Sequence, residues 1–152
     1  MIIGHLPAGY LAAKAVARSG ASAAMFWGIM IGSVLPDIDL LWFFLIDSSV
    51  HHHHLITHRP VVWVALLIVA VLLRSPFFVG LGLGTLLHVI LDTTLGEVAW
   101  FWPLSDTYVT FIEVQPTHDH WLKSFMVHWT FRVELALAAP AVFVLWLSRR
   151  QT

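Results

Sequence analysis

The sequence has little charge and no cysteine. Only 11% of its 152 residues are charged, whereas 59% are apolar, and a soluble domain averages about 25% charged residues. These residues cannot coat a globule of this size with charge, so we expect lipid to cover much of the surface. Without cysteine, disulfides, thiolate zinc sites and iron–sulfur clusters are excluded, and a bound metal must use nitrogen and oxygen ligands.

Basic residues are also scarce. Eight Lys and Arg stand against nine Asp and Glu, which gives a net charge of −1 with neutral histidines. The chain therefore has no basic face for nucleic acid, and we expect no nucleic-acid partner. Residues 1–10 lack the basic-then-apolar order of a cleavable signal peptide. We expect residues 1–152 to form one mature domain.

Long apolar segments and tryptophan are abundant. Five segments have helical character, at residues 6–18, 21–34, 61–73, 77–95 and 125–147. Six of the eight tryptophans lie near the ends of apolar stretches, as is typical at a membrane interface: Trp42, Trp63, Trp100, Trp102, Trp121 and Trp129. The pattern predicts an all-α integral membrane bundle of four to five short helices. Because a straight span needs roughly 20 residues, helices half sunk in one leaflet are the alternative.

The charges predict a topology for this bundle. If Lys14 and Arg18 are cytoplasmic and the five segments alternate in direction, then Arg74, Arg149 and Arg150 are also cytoplasmic, as the positive-inside rule requires. The same assignment places nearly all of the histidines and aspartates at the opposite face. We therefore expect a polar site at one membrane face.

One long polar stretch, residues 96–123, interrupts the apolar pattern. It is rich in Trp, Pro, Asp and His, so we expect a Trp/His-rich cap loop over the polar face. His118, Asp119 and His120 within it are candidates to contact a substrate, and a solvated loop is an equal alternative.

Two pairs of residues have spacings suited to metal chemistry. Asp37 and Asp39 follow Pro36 and can both face one ion if the backbone is extended; solvated carboxylates at a helix end are the alternative. His88 and Asp92 are four residues apart in an apolar segment, so they share one helix face. Ionisable residues inside an apolar membrane helix are costly unless they are paired, metal-bound or facing water. The second pair indicates a metal site, or else a structural hydrogen bond.

Histidines supply further candidate ligands. Residues 51–54 are four consecutive histidines, and His53 and His54 precede His58 by five and four residues. Either can therefore join His58 in one ligand cluster, but the four cannot all be ligands. His5 begins the first apolar segment, where an exposed terminal histidine is the alternative reading.

Taken together, these motifs resemble the YdjM-like family of bacterial inner-membrane proteins. The shared order is an N-terminal histidine, P-D-x-D, a histidine pair with threonine before the second, H-x-x-x-D in an apolar helix, and then Trp102-Pro103. The family writes its central motif H-R-G-x-T-H-S, whereas residues 53–59 here read HHLITHR. The resemblance implies a multi-pass protein of the bacterial inner membrane and a metal-dependent hydrolase activity. The matching candidate metal ligands are His5, Asp37, Asp39, His53, His58, His88 and Asp92.

The leading functional hypothesis is a membrane-bound metal-dependent hydrolase of a phosphoester, such as a lipid headgroup. Seven candidate ligands exceed the needs of one four-coordinate zinc, so we expect one to three divalent ions, with zinc favoured. Asp37, Asp39 and Asp92 are the candidate catalytic carboxylates, and membrane lipid is the expected partner. The alternatives are a non-enzymatic membrane metal-binding or metal-transport protein and a haem protein with His88 and His128 as axial ligands.

Overall fold

The computed structural model describes residues 3–150, except for the side chain of Trp121. The predicted position of this tryptophan at the membrane interface therefore lies outside the described residues. Within this range the chain is helical, and the one bridge between extended segments joins Val98 to Val109. The all-α class is thus confirmed. The α-helices are α1 His5–Arg18, α2 Ala23–Gly32, α3 Asp39–Leu45, α4 Pro60–Leu72, α5 Pro76–Asp92, α6 Trp121–Val127 and α7 Trp129–Arg149.

Close packing of α2 against α5 forms the centre of the bundle. Gly28 and Gly32 on α2 face Gly80 and Gly84 on α5, and each pair is four residues apart. A Cβ atom at any of the four would lie only 2.2–2.4 Å from a carbonyl oxygen of the other helix. This is the small-xxx-small contact that lets apolar helices approach backbone to backbone. The remaining long helices are arranged around this pair, α1 on both of its members, α4 on α5 and α7 on α1.

The bundle has one polar end. The start of α1, the turn after α2, the turn before α4 and the end of α5 meet there, since His5, Asp37 and His58 all lie within 4 Å of another site residue at this end. Arg18 is the last residue of α1, and Arg74 follows the end of α4, so both lie at the ends of these helices away from the polar site. The predicted separation of the polar site from these basic residues is therefore observed in the bundle. Its orientation in a membrane stays a prediction.

Helix boundaries differ from expectation at two places. The predicted helix over 125–147 is wrong as one element, because His128 adopts an extended backbone and separates α6 from α7. The His128 side chain accepts a hydrogen bond from the Thr130 amide and so caps the start of α7. Helix α3 was not predicted, because it begins at Asp39, shortly after a proline and an aspartate that favour a turn. Pro140 lies inside α7 without ending it.

Among the helices of residues 3–150, only α7 is clearly long and apolar enough to cross a membrane, with 21 residues. Helix α2 and the segment Leu35–Leu45 pass the same test together, although they are bent by 51°. Helices α4 and α5 are apolar but have 13 and 17 residues. The multi-pass arrangement therefore stays a prediction.

The predicted cap is a non-helical segment between α5 and α6. Val98 packs with Trp63 and Val89 in the core, and its bridge to Val109 draws the segment back over the polar end. Arg59 connects the cap to the histidine segment, because its guanidinium donates to the Tyr108 hydroxyl (3.0 Å) and to the backbone oxygen of His54 (2.9 Å). The cap is thus attached to the turn that carries the central histidines.

We expect Gly84→Ala to destabilise the protein. Helix propensity alone would make this change stabilising by up to about 1 kcal/mol, whereas the new methyl group would lie 2.4 Å from the Ile29 carbonyl oxygen and cost about 1–3 kcal/mol by overpacking. Unfolding of detergent-purified protein by heat or denaturant measures the sign of the change. Leu83→Ala, at an exposed position of the same helix, is the control. A more stable Gly84→Ala protein would contradict the close contact of α2 and α5.

Candidate metal centre

Two helix ends and two 3₁₀ turns place five of the candidate ligands. His5 is the first residue of α1, and His88 and Asp92 occupy the last turns of α5. After α2, a 3₁₀ turn over Leu35–Ile38 presents Asp37, and a second over Ile56–His58 presents His58. A 3₁₀ turn has about three residues per turn, so each turn directs a polar side chain inward within a few residues of an apolar helix.

Asp37, His58, His88 and Asp92 form the most compact cluster, which we call the inner site. Their ligand atoms all lie within 4.8 Å of one another. His88 Nε2 is 2.9 Å from Asp92 Oδ2 and 3.6 Å from Asp37 Oδ1, and His58 Nε2 is 3.3 Å and 3.9 Å from the same two atoms. Ligands at ~2.0–2.2 Å from a tetrahedral zinc are roughly 3.3–3.6 Å apart. The spacing of the inner site therefore fits one such ion.

Hydrogen bonds on the outer sides of the rings orient both histidines of the inner site. His88 Nδ1 donates to the Ser33 carbonyl oxygen (2.9 Å), and His58 Nδ1 donates to Asp39 Oδ2 (2.8 Å). Each ring thereby directs its Nε2 toward the inner site, and the two Nε2 atoms are 3.4 Å apart. Such outer hydrogen bonds are the usual partners of metal-binding histidines.

The surroundings of His58 favour positive charge. Burial alone lowers the pKa of His58, but hydrogen bonds with Asp39 and Asp92 outweigh it and raise this pKa to about 9. The carboxylates therefore stabilise positive charge on the His58 ring. A divalent ion bound at Nε2 would replace the proton there and would be stabilised by the same carboxylates.

His5 lies against the inner site. Its Nε2 is 3.0 Å from Asp92 Oδ1, its Nδ1 is 3.8 Å from Asp37 Oδ2, and its ring stacks on that of His88 at 3.8 Å between centroids. Buried Glu134 on α7 holds the start of α1 in place by accepting hydrogen bonds from the amides of Ile3 (2.6 Å) and Gly4 (3.1 Å). The alternative of an exposed terminal histidine is wrong, since His5 is only 3% exposed.

His53 also lies near Asp92, next to the carboxylate oxygen that His5 does not contact. Its Nε2 lies 3.7 Å from Asp92 Oδ2, and its ring packs so closely on Gly96 that a Cβ there would lie 2.1 Å from a ring carbon. Burial lowers the pKa of His53, so the ring is neutral near pH 7 and able to act as a ligand.

Asp39 contacts the cluster through other residues. Its Oδ2 accepts hydrogen bonds from the hydroxyl of Thr57 and from His58 Nδ1, and its Oδ1 lies 3.4 Å from His52 Nδ1. The sequence did not single out His52. Spacing along the chain relates the other histidines to His58, whereas His52 lies next to the carboxylate of Asp39 at the start of α3. The only sequence signal was its place in the run 51–54.

All seven predicted ligands thus meet at one end of the bundle. Other candidates lie elsewhere: His118, Asp119 and His120 are exposed in the cap. The haem alternative requires His88 and His128 to face one iron, but His88 faces Asp92 and His128 caps α7. The contacts of these two rings do not support it.

A cavity of about 890 Å³ opens beside the cluster. Its polar wall contains Asp37, His51, His52 and His53, with Glu97 and Glu113 from the cap. Its apolar wall contains Leu40, Phe43, Phe44, Leu95 and Phe125. The cavity has the size typical of small-molecule sites, and both water and a ligand with an apolar part fit such walls.

Comparison with known proteins assigns the family. The model of the family described as YdjM inner membrane protein matches residues 1–152. The chain therefore belongs to the YdjM family, which is a family of inner membrane proteins, and the resemblance seen in the motifs is confirmed. No curated protein and no solved structure matches the chain.

Glu134→Ala is expected to loosen the start of α1. The change leaves two backbone N–H groups without their acceptor, and each unsatisfied buried group costs about 1–3 kcal/mol. Stability should fall by at least about 1 kcal/mol, and zinc affinity should fall because His5 is released from Asp92. Unfolding and zinc titration in detergent measure both. Glu134→Gln keeps an acceptor oxygen and should lose less; equal losses in the two variants would argue against the hydrogen bonds.

His88→Ala is expected to weaken divalent-metal binding about 100-fold or more, because loss even of an outer hydrogen-bond partner costs 10–100-fold. Zinc titration of metal-free protein measures it. His128→Asn is the matched control, since asparagine keeps the helix cap while an imidazole outside the cluster is removed. Equal zinc affinity in both variants would refute the inner site.

Proposed function

We propose that this member of the YdjM family is a membrane-bound metal-dependent hydrolase that cleaves a phosphoester, such as a lipid headgroup. The observation that carries the proposal is the inner site itself. Two histidines and two aspartates converge with the spacing of a single coordination shell, next to a cavity with polar and apolar walls. A structural hydrogen-bonded pair would need only His88 and Asp92.

The donor set fits zinc. Two imidazole nitrogens and two carboxylate oxygens form a four-coordinate set without sulfur, and both histidines are already oriented by their outer hydrogen bonds. A divalent ion held there would supply a Lewis acid and, by taking a water as a fifth ligand, would lower the pKa of that water toward ~7. Fixing the rings in advance reduces the reorganisation that metal binding would otherwise require.

The protein residues have distinct roles in this proposal. His58, His88 and Asp92 are at most 1% exposed and hold the ion from the closed side. The side chain of Asp37 is 30% exposed and lines the cavity. Asp37 is therefore the carboxylate that both reaches the ion and can accept the proton of an attacking water. Asp39 keeps the Nδ1 proton on His58 and so directs its Nε2 inward.

Exposed apolar side chains support a location in the bilayer. Phe44, Leu45 and Leu72 are more than 70% exposed, and they lie on apolar helices whose exposed faces would be costly in water. We propose that α7, the bent α2–α3 pair and the shorter α4 and α5 all cross or enter the inner membrane. The cavity then opens near the headgroup level, and the cap, residues 96–123, selects the substrate.

The non-enzymatic alternative, metal binding or transport, needs a polar path away from the site. Helices α2 and α4 contain no ionisable residue, and those of α5 are confined to His88 and Asp92 near its end. A transported ion would have few ligands beyond the cluster, which favours hydrolysis. Metal flux in liposomes tests the alternative directly.

Hydrolysis is tested with purified, zinc-loaded protein. A short soluble phosphodiester and vesicles of phosphatidylethanolamine and phosphatidylglycerol are the two substrate arms. We expect activity in at least one arm, and we expect His88→Ala and Asp92→Ala to lower it at least about 100-fold while His128→Asn leaves it unchanged. Full hydrolysis by variants that have lost their metal would refute the proposal.

A further inference from the structure

Asp39 and His52 present a second pair of polar atoms outside the inner site. Asp39 Oδ1 and His52 Nδ1 are 3.4 Å apart, and both atoms are buried without a hydrogen-bond partner. The side chain of Asp39 is only 4% exposed. Buried polar groups normally find a partner, because leaving one unsatisfied costs free energy. This pair therefore needs an explanation.

The two oxygens of Asp39 have different surroundings. Oδ2 accepts hydrogen bonds from Thr57 and His58, which fixes the orientation of the carboxylate. Oδ1 is consequently held toward His52, but without the geometry of a hydrogen bond. A separation of 3.4 Å is that of two neighbouring ligands on one ion, since bonds of ~2.0–2.2 Å place tetrahedral ligands roughly 3.3–3.6 Å apart.

A third ligand is close to this pair. Ligand atoms of Asp37, Asp39, His52 and His58 lie within 4.8 Å of one another, and Asp37 and His58 also belong to the inner site. Because His58 Nδ1 donates to Asp39 and its Nε2 faces the inner site, Asp37, Asp39 and His52 are the three ligands left for another ion. Asp37 and His52 line the cavity, whereas His58, His88 and Asp92 do not. An ion bound by these three residues would therefore have its remaining coordination positions toward the cavity, as in catalytic zinc sites with three protein ligands.

We propose that Asp37, Asp39 and His52 bind a second divalent cation, at what we call the outer site, and that this ion contacts the phosphoryl oxygens of the substrate. Asp37 bridges the outer and inner sites. The outer ion exchanges with solvent more readily than the inner ion, because two of its three ligands line the cavity, whereas only Asp37 of the four inner-site ligands does. The role in substrate binding rests on the proposed hydrolase function, whereas the ion itself does not.

Metal content tests the outer site without any assay of activity. Metal-free protein in detergent is titrated with Zn²⁺ by isothermal calorimetry, and the number of bound ions is read from the stoichiometry at equilibrium, so that a readily exchanging ion is counted. We expect two ions in the unchanged protein, one in His52→Ala and two in the matched control His54→Gln. His54 is in the same histidine run, but its ring contacts Glu97 and Tyr108 instead. One ion in the unchanged protein, or two in His52→Ala, would overturn the proposal.

A second measurement covers the case in which His52→Ala folds poorly. Mn²⁺ is bound to the unchanged protein and to His52→Gln, and electron paramagnetic resonance reports whether two ions are coupled through Asp37. We expect a coupled pair that the substitution abolishes; an uncoupled signal in the unchanged protein would count against a shared Asp37. Two coupled ions without hydrolysis would support the outer site and refute the hydrolase, and hydrolysis with one ion would do the reverse.

Discussion

The approach of α2 to α5 through four glycines is the contact on which the rest of the structure depends. Because Gly32 and Gly84 keep the two backbones close, the Ser33 carbonyl at the end of α2 reaches Nδ1 of His88. That hydrogen bond sets which ring nitrogen faces inward. The same packing places the turn carrying Asp37 beside the last turn of α5, so that its carboxylate and that of Asp92 meet the two histidines.

Charge balance explains why these residues tolerate burial. Isolated carboxylates and imidazoles are costly in an apolar bundle, but here carboxylates and imidazoles lie next to each other. Asp92 lies against His5 and His88, and Asp39 against His58. The proposed metal site would use the same carboxylates and imidazoles to hold a cation. Stability of the polar end and the proposed affinity for metal would therefore depend on the same electrostatics.

Long-range support reaches the site from α7 and the cap. Glu134 on α7 holds the start of α1, and with it His5, through two backbone amides. Arg59, next to His58, holds the cap through Tyr108. The cap and the turn that carries the central histidines are thus connected through two hydrogen bonds of one side chain.

Residue type and spacing along the sequence were enough to predict a helical bundle, a polar end and two local motifs, the pair His88 and Asp92 at i, i+4 and the pair Asp37 and Asp39 after a proline. The choice of His5 and His53 as ligands came from the resemblance to the family, because spacing alone left each of them open. The break at His128 was not predictable from hydropathy, since the apolar pattern continues across it. Tertiary structure alone assigned Asp39 to the Nδ1 side of His58, placed His52 beside Asp39 and brought Glu134 to the start of α1. These depend on which atoms of distant turns come within 4 Å, and packing of α1, α2, α5 and α7 decides that.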